Sequence, residues 1–223
     1  RLAGGAVLVH ETLDLVKVPR LAWGYNAGQR RVRQAPNLSY DTPIAASDGL
    51  RTADDTDIYN GAPDKYEWKL IGKKEVYIPY TNYKVDHNSI TYKQLLQPGH
   101  PHPGYLRYEL HRVWVIEATL RPDEHHRYPR RIFYLDEDTW QVSMEDVYDS
   151  DGQLWRFGDH HVMQFYDVQV PWYRAMVHYD LKSDAYLVSE LDNESKKARR
   201  WGWKGDVNDF LRAALNRDGH AID

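Results

Sequence analysis

From Tyr108 to Leu191 the chain is a series of strand-forming segments separated by turns at short intervals, and this spacing constrains the fold more than any other feature. "YELHRVWVIEATL" (Tyr108–Leu120) is one long strand, rich in β-branched and aromatic residues. Arg131–Leu135 is a second strand. "DEDTW" turns the chain into Gln141–Tyr148, and "DSDGQ" (Asp149–Gln153) turns it again into Leu154–Phe157. Met163–Val168, Ala175–Tyr179 and Tyr186–Leu191 continue the pattern. Connections this short join antiparallel neighbours, because a parallel crossover needs a dozen residues or more. The segment therefore reads as an antiparallel meander.

Upstream, Val7–Val18 alternates loosely as a strand. It begins without a preceding turn or cap, so the chain is expected to be incomplete on its own. Leu21–Tyr25 and Arg30–Gln34 flank "NAGQ" (Asn26–Gln29), a hairpin turn in which Gly28 is available for positive φ; this hairpin is expected to lie in the same sheet as the meander. Residues Ala35–Lys65 break the pattern with Pro36, Pro43, Gly49, Gly61 and Pro63, and a short helix is expected at Asp54–Tyr59. Long excursions of this kind are often functional. Strands resume at Tyr66–Ile71 and Glu75–Pro79, and a short helical piece is expected near Tyr92–Leu96. In Asp206–Asn216, Val207, Phe210, Leu211 and Ala214 share a helical face that Asp206 would cap. With no repeat and no low-complexity linker, residues 1–223 read as a single domain.

Composition excludes several function classes. A formal charge of −4 is the wrong sign for a dedicated nucleic-acid binder, which carries a broad basic face. The absence of cysteine removes disulfides, thiol chemistry and thiolate metal sites. No run of 18 apolar residues is present, so no membrane-spanning helix is expected. The 8 Trp and 17 Tyr, against 4 Phe, suit strands with one wet and one dry side.

The long strand departs from that alternation. Leu110, Arg112, Trp114, Ile116 and Ala118 lie on one face, and His111, Val113, Val115 and Glu117 on the other. Both faces are largely apolar, so both are expected to be covered.

No set of residues specifies catalysis. Glu109, Glu117 and Asp136 offer carboxylates for a carbohydrate-active pair, but among 33 acidic residues such pairs arise readily by chance. The adjacent pairs His125–His126 and His160–His161 would point to opposite strand faces, which disfavours chelation, and His100 and His102 flank a proline; all read as surface loop residues, and no metal or cofactor is expected. "DSDG" lacks the later ligands of a calcium loop. Asp54, Asp55 and Asp57 read as a solvated loop. Arg30, Arg31 and Arg33 offer an anion- or partner-binding patch, although a charged strand that blocks edge aggregation is the plainer reading.

Several stretches together resemble one family. They are "GQRRVRQAPNLSYDTP" (Gly28–Pro43), "SDGLRT" (Ser47–Thr52), "YEWKLIGKKEVYIPY" (Tyr66–Tyr80), the strand Tyr108–Leu120, "FYLDEDTWQ" (Phe133–Gln141), "YDSDGQLWR" (Tyr148–Arg156) and "VPWY" (Val170–Tyr173). They are similar to the Gram-negative periplasmic DUF1329 family, whose members are often called outer-membrane lipoprotein-sorting-like. The resemblance implies a mainly β (α+β) fold like that of the lipoprotein carriers LolA and LolB. That fold is a curved antiparallel sheet, an open half-barrel with helices covering its apolar concave face. It further implies that this chain is the C-terminal half of a larger half-barrel protein, a periplasmic location, a secretion signal upstream, and genes beside outer-membrane β-barrel and RND-type exporter genes, which are the expected partners. It implies no catalytic residues.

The expected function is therefore non-catalytic binding or carriage of a lipid or other apolar molecule. The expected lining is Trp114, Ile116, Phe133, Leu135, Val142, Trp155 and Phe165. The alternatives are a docking subunit of a barrel or exporter, using Arg30–Arg33 and the Ala35–Lys65 excursion, and a carbohydrate-active protein.

Overall fold

The computed structural model describes residues 4–35, 40–44, 47–195 and 200–216. Twelve strands are present among them. β1 (Ala6–His10), β2 (Leu21–Asn26) and β3 (Arg31–Ala35) form a three-stranded antiparallel sheet of their own. The hairpin expected around Asn26–Gln29 is thus present, with Asn26 Oδ1 accepting from the Gln29 amide at 3.0 Å. It lies outside the meander's sheet, and Arg30 rather than Gly28 takes the left-handed conformation (φ 49°). The expected strand Val7–Val18 is shorter. It ends at His10, and Asp14 then caps a turn by accepting from the Lys17 amide at 3.1 Å.

The main sheet contains β4 (Tyr66–Pro79), β7 (Tyr108–Leu120), β8 (Arg130–Asp136), β9 (Val142–Tyr148), β10 (Leu154–Phe165), β11 (Val170–Asp180) and β12 (Ala185–Ser189). Its order is β12-β11-β10-β9-β8-β7-β4, antiparallel throughout. Two segments read as strand pairs are single strands. β4 passes through a bulge between Leu70 and Gly72, where Gly72 adopts φ 130°, a conformation strained for other residues. β10 runs unbroken through the polar "GDHH" with a register shift after His161. Between β4 and β7 lie the two-residue strands β5 (Leu96–Gln97) and β6 (His100–Pro101), preceded by the four-residue helix α1 (Tyr92–Leu95). Helix α1 has the expected place, with Thr91 accepting from the Gln94 amide. The helix expected at Asp206–Asn216 is two 3-10 turns, Val207–Phe210 and Ala214–Asn216, and Asp206 caps the first.

The sheet curls tightly at one end. β4 approaches β9 and β10 although other strands lie between them. In a flat sheet, four spacings of about 4.8 Å would leave β4 roughly 19 Å from β10. The Asn82 amide, just beyond β4, instead bonds the Val162 carbonyl of β10 at 2.9 Å, and Tyr108 reaches Asp159 at 2.7 Å. Ile78, Val113, Val115 and Met144 pack inside this curl at 0–7% exposure.

The opposite face of the same strands carries a second core, Tyr66, Ala118 and Phe133, closed by Ile58 from the excursion. The face of β7 inside the curl is covered, whereas its outer face is covered at Ala118 and only half-buried at Trp114 and Ile116, so the expectation of two covered faces holds in part. The cover is a loop where helices were expected: α1 is the single α-helix among the described residues, and loop 47–62 occupies this face with only a 3-10 turn at Ala53–Asp55.

Candidate functional site

Loop 47–62 is held against the sheet by buried charge. At its 3-10 turn, the Thr52 amide donates to Asp55 Oδ2 (2.7 Å) and the Thr52 hydroxyl to Asp54 Oδ1 (2.6 Å), which fixes both carboxylates in place. Arg131 of β8 lies beneath them with no exposed surface. It donates to Asp54 (3.0 Å), Asp55 (3.1 Å), the Ile58 carbonyl (3.1 Å) and Glu145 of β9. Tyr128 donates to Asp55 at 3.1 Å, and His126 contacts Asp54 at 3.0 Å. A buried guanidinium is tolerable only when its donors meet acceptors. Here the three carboxylates hold Arg131 charged against the burial that opposes it. With three acids around one guanidinium, burial pushes the Glu145 carboxyl up to about 8. Asp54 stays below the usual range despite its burial, because His126 and Arg131 face it.

A second set of ties lies nearby. Arg156 of β10 donates to Tyr128 Oη (2.9 Å), the Gly49 carbonyl (2.9 Å) and Asp180 (3.1 Å), and Tyr173 of β11 bonds Asp57. The acidic patch expected to be solvated is therefore partly interior: Asp54 and Asp55 are 1% and 3% exposed. Their ionic partner Arg131 stands on the covered face of a strand that otherwise reads as ordinary apolar alternation.

An apolar strip emerges from beneath this loop. The register aligns Leu70, Ile116 and Phe133 in one row across β4, β7 and β8, and Lys73, Trp114 and Leu135 in the next. Tyr59 of the loop packs edge-on to Phe133 (5.4 Å) and Trp68 (5.3 Å), and Trp68 stacks on Phe133 (5.8 Å). Phe133 is 2% exposed under the loop, Trp68 38%, and Leu70 at the sheet edge 61%. Ile116, Leu135 and Val142 are half-buried along the strip. Trp114 is half-buried too. Its indole N–H is buried without an acceptor among the described residues, and Lys73 sits 4.6 Å from its ring.

Five of the seven expected lining residues thus share one face, the one turned away from the curl. The other two lie elsewhere. Trp155 donates to Asp180 and packs with Tyr128 and Arg156 at the far end of β10. Phe165 contacts Trp201 at 4.9 Å. Arg30, Arg31 and Arg33 are exposed on the separate small sheet and form no ion pair among the described residues.

The family model described as "Protein of unknown function (DUF1329)" matches residues 1–216. The chain belongs to the DUF1329 family. An uncharacterized Pseudomonas aeruginosa protein is 55% identical to it over 219 residues, covering 98% of this chain and 48% of its own length. The DUF1329 chain therefore spans about half the length of that relative. A crystal structure of a DUF1329 protein from Desulfovibrio piger superposes with a TM-score of 0.58 at 16% identity, over 95% of this chain and 71% of its own. A Vibrio parahaemolyticus domain, described as an outer membrane lipoprotein-sorting protein domain, gives 0.55 at 15% identity, over 96% and 72%. At these identities the likeness establishes the fold, a mainly β architecture with an open antiparallel sheet.

Several polar residues of the DUF1329 chain are placed differently from their surface reading. The side chain of His126 is buried, and so are His160 and His161; His178, which the sequence did not single out, is buried as well. His160 and His161 do face opposite ways: His160 stacks on Tyr173 (4.9 Å), and His161 meets Tyr108 (5.8 Å). The carboxylates weighed for catalysis are each engaged. Glu109 accepts from Thr81 and pairs with Arg107, Glu117 pairs with Arg130, and Asp136 accepts the Thr139 amide (3.0 Å) and hydroxyl (2.7 Å). His111, Asp136 and Asp138 gather ligand atoms within 4.8 Å of one another, a grouping with no motif spacing in the sequence. There Asp136 organises the β8–β9 turn, and His111 Nδ1 lies 3.3 Å from its other oxygen. The "DSDG" stretch is a hairpin turn, with Asp149 accepting from the amides of Asp151 (2.9 Å) and Gln153 (2.8 Å).

Proposed function

We propose that this chain is a non-catalytic binding module that holds a lipid or lipid-like molecule on the apolar strip beside loop 47–62. One observation carries the reading: the strip continues from Phe133, sealed under Tyr59, out to the open edge at Leu70 without a charged residue in that row. A ligand with long apolar chains gains about 0.8 kcal/mol for each buried CH₂, and the strip offers Trp114, Ile116, Leu135 and Val142 as the surface that buries them. The description of the Vibrio domain, sorting of outer-membrane lipoproteins, fits such a ligand class, and the reading places the module in the periplasm. Native mass spectrometry of the chain purified without detergent tests it. Release of an acyl-chain compound from the wild type, and its loss in Ile116→Asp, supports the proposal; a ligand-free wild type that also takes up no added fatty acid overturns it.

A docking role beside an outer-membrane barrel or exporter is the second reading. It is favoured by the curl itself, which is filled by its own Ile78 and Val113, both at 0% exposure, and by the unpaired Arg30, Arg31 and Arg33. The carbohydrate-active reading is weakened because Glu109, Glu117 and Asp136 are each engaged.

A further inference from the structure

Under loop 47–62, on the same side of the sheet as Glu145, two histidines stand at diagonal positions. His160 of β10 faces Met176, and His178 of β11 faces Gly158. They are 2% and 7% exposed. Each has its Nε2 buried with no partner among the described residues. Gly158 leaves space beside His178: a Cβ there would lie 3.9 Å from both Glu145 Oε2 and His178 Nδ1. A cavity of about 10 Å³ at this point is lined by Asp55, Tyr128, Glu145, Arg156 and His178, which is room for one water molecule.

Charged groups face the pair from every side. The loop contributes Arg51, whose Nε is also buried without a partner, and Asp55. Asp57 of the loop reaches His160 through the stacked Tyr173. Arg131 comes from β8 and Glu145 from β9, and Asp159 and His161 lie behind the pair on the opposite face of β10.

We infer that His160 and His178 are an acid-operated release for loop 47–62. With the loop closed, a proton on either Nε2 has no hydrogen-bond partner among the described residues and lies in the field of Arg51. With the loop lifted, both rings meet water. The inference rests on reading this loop as the cover of the apolar strip. It concerns the motion alone and is tested without ligand, so either can fail independently.

Burial lowers the His178 pKa to about 4 and that of His160 well below the ordinary 6.5. The open form therefore binds more protons below pH 6.5, and closure weakens as the pH falls through that window. Glu145 works the other way. Its carboxyl, raised to about 8 when covered, takes a proton in the closed form, so closure strengthens as the pH falls from 8. Two imidazoles outweigh one carboxyl, which places the firmest closure near pH 6.5.

Hydrogen–deuterium exchange of the whole chain at pH 7.0 and 5.5, corrected for intrinsic rates, tests this. Peptides from 49–59 should open about two- to threefold more at pH 5.5, because Glu145 offsets much of the histidine effect, while peptides from 110–118 stay protected. The double variant His160→Gln/His178→Gln should remain closed at both pH values. Arg51→Gln serves as a second probe that leaves the sheet intact: with the opposing charge gone, its loop should need stronger acid to open. A wild-type loop indifferent to pH, an acid response spread over the whole sheet, or variants that respond like the wild type would overturn the inference.

Discussion

At the scale of single residues, the structure turns on groups whose burial contradicts their chemistry. Arg131 has no exposed surface and binds three carboxylates and a carbonyl. Breaking a buried pair strands its partners, so Arg131→Met should cost about 3–5 kcal/mol, read as a lowered urea midpoint with an unchanged slope. Glu145 gives a pH signature. Its folded pKa of about 8 lies above its unfolded value, so the stability it contributes is complete below about pH 4.5 and is lost as the pH rises through 8. Glu145→Gln should remove that part of the decline, and urea titrations at pH 6.0 and 8.5 would show a smaller difference in the variant than in the wild type. Arg30, Arg31 and Arg33 lie at the other extreme. Exposed and unpaired, they should be replaceable by Ser with a change within about 0.5 kcal/mol, and a pull-down with an anionic partner would show whether they matter to docking.

At the scale of elements, the sequence is legible where apolar alternation and turn chemistry agree. β7 is read to its exact ends, and β8, β9 and β12 to within a few residues, because "DEDTW" and "DSDGQ" form the turns their side chains favour. β4 and β10 are misread for related reasons. Gly72 looks like a break but is a bulge inside a strand, and "GDHH" looks like a loop although its polar groups are buried inside β10. Local pattern does not report that a polar strand face is covered by a distant loop. The same limit hides Arg131 and Glu145, whose roles depend on Asp54 and Asp55 more than 70 residues away. The terminal helical pattern Val207–Ala214 has the right spacing but folds as two 3-10 turns, lying on no large apolar surface that would reward a regular helix. Gly72 supplies a prediction at this scale: a Cβ there has free space, yet φ 130° is strained for any other residue. Gly72→Ala should cost about 1–3 kcal/mol, seen as a lower melting temperature.

At the scale of the whole molecule, one curled sheet has two differently used faces. The face inside the curl is filled by its own side chains at the narrow end. The outer face is closed at one side by a loop latched through buried charge and left open at the sheet edge, where Leu70, Trp68 and Tyr77 are exposed. The central claim is that this open strip binds an apolar chain. Leu70 tests it cleanly: at 61% exposure its replacement should barely change stability, while a carboxylate placed in the strip repels an acyl chain. The deciding measurement is fluorescence titration of an acyl-chain probe into the wild type and Leu70→Asp, with melting temperatures recorded for both. The account predicts saturable binding to the wild type, weakened at least tenfold in the variant at an unchanged melting temperature. Absence of binding to the wild type, or equal binding to both, would contradict it.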